Sequence, residues 1–140
     1  MDILYETQAT AIGGRGGSAA SVDGALRVKL STPQALGGPG GDGTNPEQLL
    51  AAGYAACFLS AIKSVASQEE TSIAPDANVT ATVGLRTRDD GAGLQIDLAL
   101  DIDLPGLDRG DAERIVAAAR NACPFSAATR GNIGLRLTIA

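Results

Sequence analysis

The chain has 140 residues, a length suited to one domain with a buried core, and its 11 Lys and Arg against 16 Asp and Glu give a net charge of -5. Because no basic cluster interrupts this balance, we expect neither nucleic acid nor an anionic membrane surface as a partner. Two cysteines without any histidine exclude a cysteine hydrolase with a histidine base and leave too few ligands for structural zinc.

The amino-terminal residues MDILYETQAT lack the basic segment followed by an apolar one that marks a signal peptide, so we expect a cytoplasmic protein. The reducing cytosol disfavours permanent disulfides. A bond between Cys57 and Cys123 would therefore be transient, and either catalytic or redox-sensing.

Residues 3 to 30 are interrupted by GGRGG at 13 to 17 and by the turn dipeptide Asp23-Gly24, which predicts two hairpins that share a strand. Residues 31 to 44 form a glycine-rich loop without periodicity, long enough to indicate a functional role. A helix then begins with strong signals, because Asn45 can cap it and Pro46 fits its first position.

This first helix is predicted to run to about Ser67 and to be apolar on nearly every face as far as Ile62, so we expect it to be central and wrapped by sheet. Its most apolar run, Leu49 to Ile62, is shorter than the roughly 20 residues that cross a bilayer. We therefore predict a buried helix and no membrane span.

The remaining chain alternates between strand and helix signals. Apolar and polar residues alternate over 79–85 and 94–104, which predicts an antiparallel pair, and again over 133–139. Helical spacing over 111–121 ends before Pro124, so Cys123 should lie in a bend at the start of a further short helix. The order βββ-α-ββ-α(α)-β predicts a single α+β domain over residues 1–140.

Cys57 needs a lowered pKa to react at neutral pH, because the thiolate is the reactive form. It lies beyond the first turn of its helix, where the dipole no longer acts, and burial raises a thiol pKa. Without histidine the cation must be Arg or Lys, and Arg15 within GGRGG is the candidate, with Glu47 as the carboxylate that holds its guanidinium. Glu47 and Cys57 are about 15 Å apart along one helix, so either the helix breaks at Gly53 or the partner of Glu47 comes from elsewhere, such as a second subunit.

Three segments together resemble a known family: TNPEQLLAAGYAACFLSAI, the downstream ACPFSAATRGNI and the early GGRGG. In order and spacing they are similar to the organic hydroperoxide resistance (Ohr) proteins of the OsmC superfamily, over essentially the whole chain. The resemblance implies the OsmC-like fold, with antiparallel sheets around a buried central helix in an intertwined homodimer. It also implies a thiol peroxidase that reduces organic hydroperoxides, lipid-derived ones in particular, to alcohols.

The resemblance assigns the site residues as well. Cys57 matches the peroxidatic cysteine, which becomes a sulfenic acid, and Cys123 matches the resolving cysteine that forms a disulfide with it. Arg15 matches the arginine that stabilises the thiolate, and Glu47 matches the glutamate paired with that arginine. The implied reductant is a dihydrolipoyl group on a lipoylated protein, and no metal or bound cofactor is implied.

Two departures concern the pocket: Phe125 replaces a common tyrosine and Leu50 a common phenylalanine, which puts substrate preference in question. Two other functions stay open on the residues alone. One is a redox sensor or apolar-ligand-binding protein whose disulfide is not rapidly recycled. The other is a structural dimer with inert cysteines, since a free cysteine is often only a small buried hydrophobe.

Overall fold

The computed structural model describes all 140 residues, which divide into two compact units, Met1–Leu49 and Leu50–Ala140. Its element order confirms the predicted α+β succession of three strands, a helix, two strands, two helices and a strand. The strands are β1 Ala9–Ile12, β2 Ser18–Ser21, β3 Arg27–Lys29, β4 Asn78–Thr87, β5 Leu94–Asp103 and β6 Leu135–Ile139, and the helices are α1 Pro46–Gln68, α2 Arg109–Ala122 and α3 Pro124–Thr129.

The first unit contains the antiparallel sheet β1-β2-β3, which confirms two hairpins with a shared strand. In the second hairpin Gly24 adopts a left-handed φ of 77°, and the Asp23 carboxylate accepts a hydrogen bond from the Ala25 N–H. This sheet is thin and poorly covered. All four residues of β1 are exposed, and Leu30 is the only buried apolar residue of the unit.

The glycine-rich loop returns to the point where it leaves the sheet. Thr44 N donates to Lys29 O and Ser31 N donates to Thr44 O, each at 2.9 Å, while Ser31 Oγ accepts from Gly43 N. A Cβ at Gly43 would lie 2.5 Å from Ser31 Oγ, so the close approach requires glycine there. The loop thereby fixes where α1 begins, beside the sheet of its own unit.

Helix α1 starts as predicted, with the Asn45 side chain accepting a hydrogen bond from Gln48 N at 2.8 Å. Its fully buried residues form one stripe at i, i+4 spacing: Tyr54, Phe58, Ile62 and Ala66. At 23 residues α1 is longer than the apolar run in the sequence, and it is long and apolar enough to cross a membrane by length and composition alone. Core helices meet the same test, and the absence of a membrane span stays a prediction.

The second unit is built on the sheet β4-β5-β6. Strands β4 and β5 pair antiparallel as predicted, but β6 runs parallel to β5, so the expectation of purely antiparallel sheets is wrong for this strand. The physical reason is the connection: a parallel pair needs a crossover, and α2 with α3 supplies it between β5 and β6.

One hydrophobic core joins α1, the sheet and α2. Helix α2 starts two residues before the predicted start at 111, because Asp108 caps it by accepting from Gly110 N and Asp111 N. The core residues are Tyr54, Phe58, Ile62 and Ala66 of α1, Leu98, Leu100 and Ile102 of β5, and Ala112, Ile115, Val116 and Ala119 of α2.

Candidate active site

The two cysteines meet in the second unit. Cys123 Sγ lies 3.6 Å from Cys57 Sγ, and both thiols are free. Cys123 is fully buried, whereas Cys57 on α1 is partly accessible. A disulfide needs sulfur atoms about 2.05 Å apart, so a small approach of the two side chains suffices to join them.

The junction between α2 and α3 positions Cys123. Its backbone is extended, with φ -70° and ψ 122°, so that it ends α2 and caps α3 at the same time. Pro124 at the first position of α3 forces this change of direction, as the sequence predicts. The Cys123 N–H still donates to Ala119 O at 2.8 Å, which ties the bend to α2.

Burial raises the pKa of the Cys57 thiol above its ordinary value, and the neighbouring Cys123 thiol adds to the rise. The backbone N–H of Phe125, at the start of α3, acts in the opposite direction and lowers this pKa. The net shift is upward. The surroundings of Cys57 within its unit therefore favour the neutral thiol, as burial alone predicts.

Arg15 and Glu47 meet in the first unit. The guanidinium donates two parallel hydrogen bonds to the carboxylate, Nη1 to Oε2 at 2.8 Å and Nη2 to Oε1 at 2.7 Å. This bond from Arg15 is the main cause that lowers the pKa of Glu47, and the Glu47 contact raises the pKa of Arg15. Both groups are therefore charged at neutral pH.

The backbone on which Arg15 stands requires glycine. Gly13 and Gly14 adopt left-handed φ angles of 81° and 65°, and a Cβ on Gly17 would lie 1.7 Å from Ile12 O. Helix α1 is unbroken through Gly53, so the expected break is wrong, and Glu47 is paired with Arg15 of the same chain. A contribution from a second subunit stays a prediction.

An apolar cavity of about 320 Å³ lies in the second unit, and neither cysteine lines it; its lining residues are Leu50, Tyr54, Ile96, Leu98, Phe125, Ala128, Thr129 and Ile133. Phe125 packs edge-on against the Tyr54 ring at a centroid distance of 5.8 Å. The backbone N–H of the same residue is the one that lowers the pKa of Cys57. Both pocket departures in the sequence, Leu50 and Phe125, line this cavity.

A buried hydrogen bond that the sequence does not predict lies next to this cavity. Tyr54 Oη and Ser126 Oγ lie 2.7 Å apart, and Ser126 is the only buried polar residue of the chain. No sequence signal pairs residues so far apart in the chain. Elsewhere, no group of three or more Cys, Asp or Glu stands close enough to hold a metal ion.

Comparison with known proteins places this geometry in a family. The model of the family described as OsmC-like protein matches residues 38–138. The chain belongs to the OsmC-like family. An organic hydroperoxide resistance protein of Xanthomonas axonopodis pv. citri is 49% identical to it over 138 residues, which cover 99% of this chain and 96% of that protein.

Solved OsmC-like structures agree with the fold. An organic hydroperoxide resistance protein from Legionella pneumophila is 44% identical with a TM-score of 0.93, and the match covers 99% of both chains. A similarly described protein from Vibrio cholerae, with captopril bound in one of its active sites, is 40% identical with a TM-score of 0.91 over 99% of this chain and 94% of that one. These relatives share the architecture found here over nearly their full length.

Proposed function

We propose that this chain is a thiol peroxidase that reduces organic hydroperoxides to alcohols. The observation that carries the proposal is the 3.6 Å separation of Cys57 Sγ and Cys123 Sγ. The same unit contains an apolar cavity lined by Phe125, two residues after Cys123. Two thiols at this distance suit a transient disulfide, and an apolar pocket suits the organic part of a hydroperoxide. Membership of the OsmC-like family, with relatives named for organic hydroperoxide resistance, supports the same chemistry.

The proposed reaction begins at the more accessible thiol. The Cys57 thiolate attacks the distal oxygen of the hydroperoxide, the O–O bond breaks, and the alkoxide takes a proton and leaves as the alcohol. Cys57 is then a sulfenic acid. The Cys123 sulfur attacks the Cys57 sulfur, the S–O bond breaks, and water leaves as the disulfide forms.

The disulfide must be reduced before another turnover. We propose an external dithiol, the dihydrolipoyl group of a lipoylated protein, which exchanges with the disulfide and leaves as its own cyclic disulfide. One hydroperoxide and one dithiol thus give one alcohol, one water and one disulfide. The scheme uses no bound cofactor.

Arg15 is proposed as the cation that makes Cys57 reactive, with Glu47 as the residue that positions it. Burial raises the pKa of Cys57, and the chain contains no histidine to oppose that shift. A guanidinium close to a thiolate lowers its pKa. The two hydrogen bonds to Glu47 hold the guanidinium in one orientation, and its flanking glycines allow the backbone to come close to another element.

A homodimer is proposed because the first unit leaves large apolar side chains exposed. Ile3, Leu4, Tyr5, Ile12 and Val22 are each at least 73% exposed. Monomeric proteins rarely leave so much apolar surface uncovered in one segment. A second copy that covers this segment would bury these side chains. Sedimentation equilibrium measures directly whether the protein is a dimer. We also propose a cytoplasmic location for this dimer.

Steady-state consumption of tert-butyl hydroperoxide tests the proposed function. The assay compares dihydrolipoamide with reduced glutathione as electron donor, and hydrogen peroxide with the organic peroxide. Rapid turnover of the organic peroxide with dihydrolipoamide is expected. Absence of turnover with any dithiol would refute the peroxidase.

A second candidate is a redox sensor that is oxidised once and recycled slowly. The raised pKa of Cys57 favours it, because a neutral thiol reacts slowly with peroxides. The two functions separate in a single experiment. One equivalent of peroxide consumed per chain, with no further consumption when excess dihydrolipoamide is present, identifies the sensor.

A further inference from the structure

Two polar cavities adjoin the apolar cavity in the second unit. The larger, of about 770 Å³, is lined in part by Arg86, Arg88, Arg136 and Asp97. The smaller, of about 320 Å³, is lined by Arg120 and Arg130 and by no carboxylate. Five arginines and one carboxylate, Asp97, thus line the two cavities, in a chain whose net charge is -5.

The arginines of the smaller cavity lack counter-charges. In the larger cavity Arg136 forms two hydrogen bonds to Asp97, at 3.0 and 2.8 Å, and Arg88 forms a salt bridge to Asp90. Neither Arg120 nor Arg130 takes part in any of the seven salt bridges of the chain. Arg130 Nη2 donates only to the backbone carbonyl of Arg120, at 3.1 Å.

That hydrogen bond also holds the two arginine residues together. It ties the end of α3, which Arg130 caps, to the last turn of α2, which contains Arg120. The remaining guanidinium donors stay free for a ligand. Each guanidinium presents a fork of donors that matches the oxygens of a carboxylate or a phosphate.

The smaller polar cavity lies beside the apolar one, because Thr129 and Ile133 line both. The hydrogen-bonded pair Tyr54 and Ser126 links them again, since Tyr54 lines the apolar cavity and Ser126 the polar one. A ligand that extends from one cavity to the other would have an apolar body and an anionic end.

We propose that Arg120 and Arg130 bind the anionic end of an amphiphilic hydroperoxide whose acyl chain lies in the apolar cavity. The anion is the carboxylate of a free acid or the phosphate of a monoester, since both match a guanidinium fork. This inference rests on the proposed function, because only that function makes the ligand a hydroperoxide. It adds a preference for an anionic substrate, set at a subsite away from the thiols. It makes Arg120 and Arg130 specificity residues, with no part in the bond-breaking steps.

Equilibrium binding without any peroxide tests the inference. Isothermal titration calorimetry of the full-length protein with decanoate, decyl phosphate and uncharged 1-decanol compares the two anionic heads with a neutral one on the same chain length. We expect at least one anion to bind about tenfold more tightly than 1-decanol, and the advantage to shrink as salt screens the charges. The tighter of the two anions identifies the head group. Equal binding of all three amphiphiles would overturn the proposal.

Variants then assign the preference to residues. Arg120→Gln and Arg130→Gln should each weaken anion binding about threefold and the double variant about tenfold, with 1-decanol unaffected. Arg120→Lys, which keeps the charge but loses the planar fork of donors, should bind the anion more tightly than Arg120→Gln and more weakly than the wild type. The matched control is Arg109→Gln, which removes one positive charge about 16 Å away along α2 and should leave binding unchanged.

Failure of this inference and failure of the proposed function remain distinct. Wild-type anion affinity in the folded double variant, verified by circular dichroism, would refute the subsite whatever the peroxidase assay gives. If Arg130→Gln disturbs the fold by removing its bond to the Arg120 carbonyl, Arg120→Gln alone decides. Selective anion binding by a wild-type protein without peroxidase turnover would refute the proposed function and leave the anion subsite standing.

Discussion

Cys123 Sγ lies 3.6 Å from Cys57 Sγ, and Cys123 is fully buried while Cys57 is partly accessible. In the proposed reaction this difference in access sets the order of events, because a peroxide in solution would reach Cys57 first. The buried thiol is then already in place to react with the oxidised one. The two cysteines are thus chemically alike but not interchangeable.

Serine substitutions should separate their roles. Cys57→Ser is expected to reduce turnover to the background rate, because a hydroxyl at neutral pH does not attack peroxide. Cys123→Ser should still consume one equivalent of peroxide and then stop as a sulfenic acid, which dimedone labelling and mass spectrometry detect at Cys57. Undiminished turnover in Cys57→Ser would remove that residue from the mechanism.

The pH dependence of Cys57 should depend on Arg15. Burial and Cys123 raise the thiol pKa, so in Arg15→Gln the rate of alkylation by iodoacetamide should keep rising with pH beyond the ordinary thiol pKa of about 8.5. In the wild type the proposed cation lowers the pKa, so the same rise should finish at lower pH. Arg27→Gln, which removes an equal charge from β3, is the control. Identical pH profiles for Arg15→Gln and the wild type would contradict the role proposed for Arg15.

Glu47 should stabilise the fold in a pH-dependent way. Its pKa is lowered in the folded chain, chiefly by the hydrogen bond from Arg15. A lowered folded pKa contributes stability above the unfolded pKa of about 4.3, and that stability is lost as pH falls through the folded value. Glu47→Gln should therefore be less stable than the wild type at pH 7 and equally stable at the acid end. Urea unfolding at several pH values measures this, and a constant difference across them would argue against the ion pair.

The sequence predicted the local elements because their signals are local. Neighbouring residues alone determine three of these features, and each is present: the Asn45 cap, the bend before Pro124, and the alternation of apolar and polar residues along β4 and β5. The direction of β6 depends on how a crossover places it, which no strand pattern encodes. The proximity of Cys57 and Cys123 likewise followed from family resemblance and not from their spacing.

The need of a charged group for a partner of opposite sign predicted the Arg15–Glu47 contact, but no such argument predicts the contact between Tyr54 and Ser126. A guanidinium near a helix needs a carboxylate, which led from Arg15 to Glu47, and the two are paired. Tyrosine and serine are both common in helices. No feature of the sequence around Tyr54 or Ser126 indicates that the two side chains are partners. Their hydrogen bond is a property of packing, visible only after folding.

That hydrogen bond should be worth measurable stability. Tyr54→Phe removes one partner and leaves the buried Ser126 hydroxyl without its acceptor or donor, at a cost of about 1–3 kcal/mol in the free energy of unfolding. Tyr54→Phe with Ser126→Ala removes both partners and should recover part of that loss. A double-mutant cycle by urea unfolding at one protein concentration measures the coupling, and strictly additive effects would show that the two groups do not interact.

Gly53 tests whether α1 is already fully packed within one chain. A Cβ at this position would lie 3.4 Å from Phe125 Cε2, an ordinary van der Waals contact, and alanine favours a helix interior over glycine by roughly 0.5–1 kcal/mol. Gly53→Ala should therefore raise the free energy of unfolding by about that amount. The matched control is Ala52→Gly at the exposed neighbouring position, which should lower it equally. If Ala52→Gly is destabilised as expected and Gly53→Ala is destabilised too, the added methyl meets a tighter contact than the one with Phe125 in this chain, and a second copy packed against α1 would supply it.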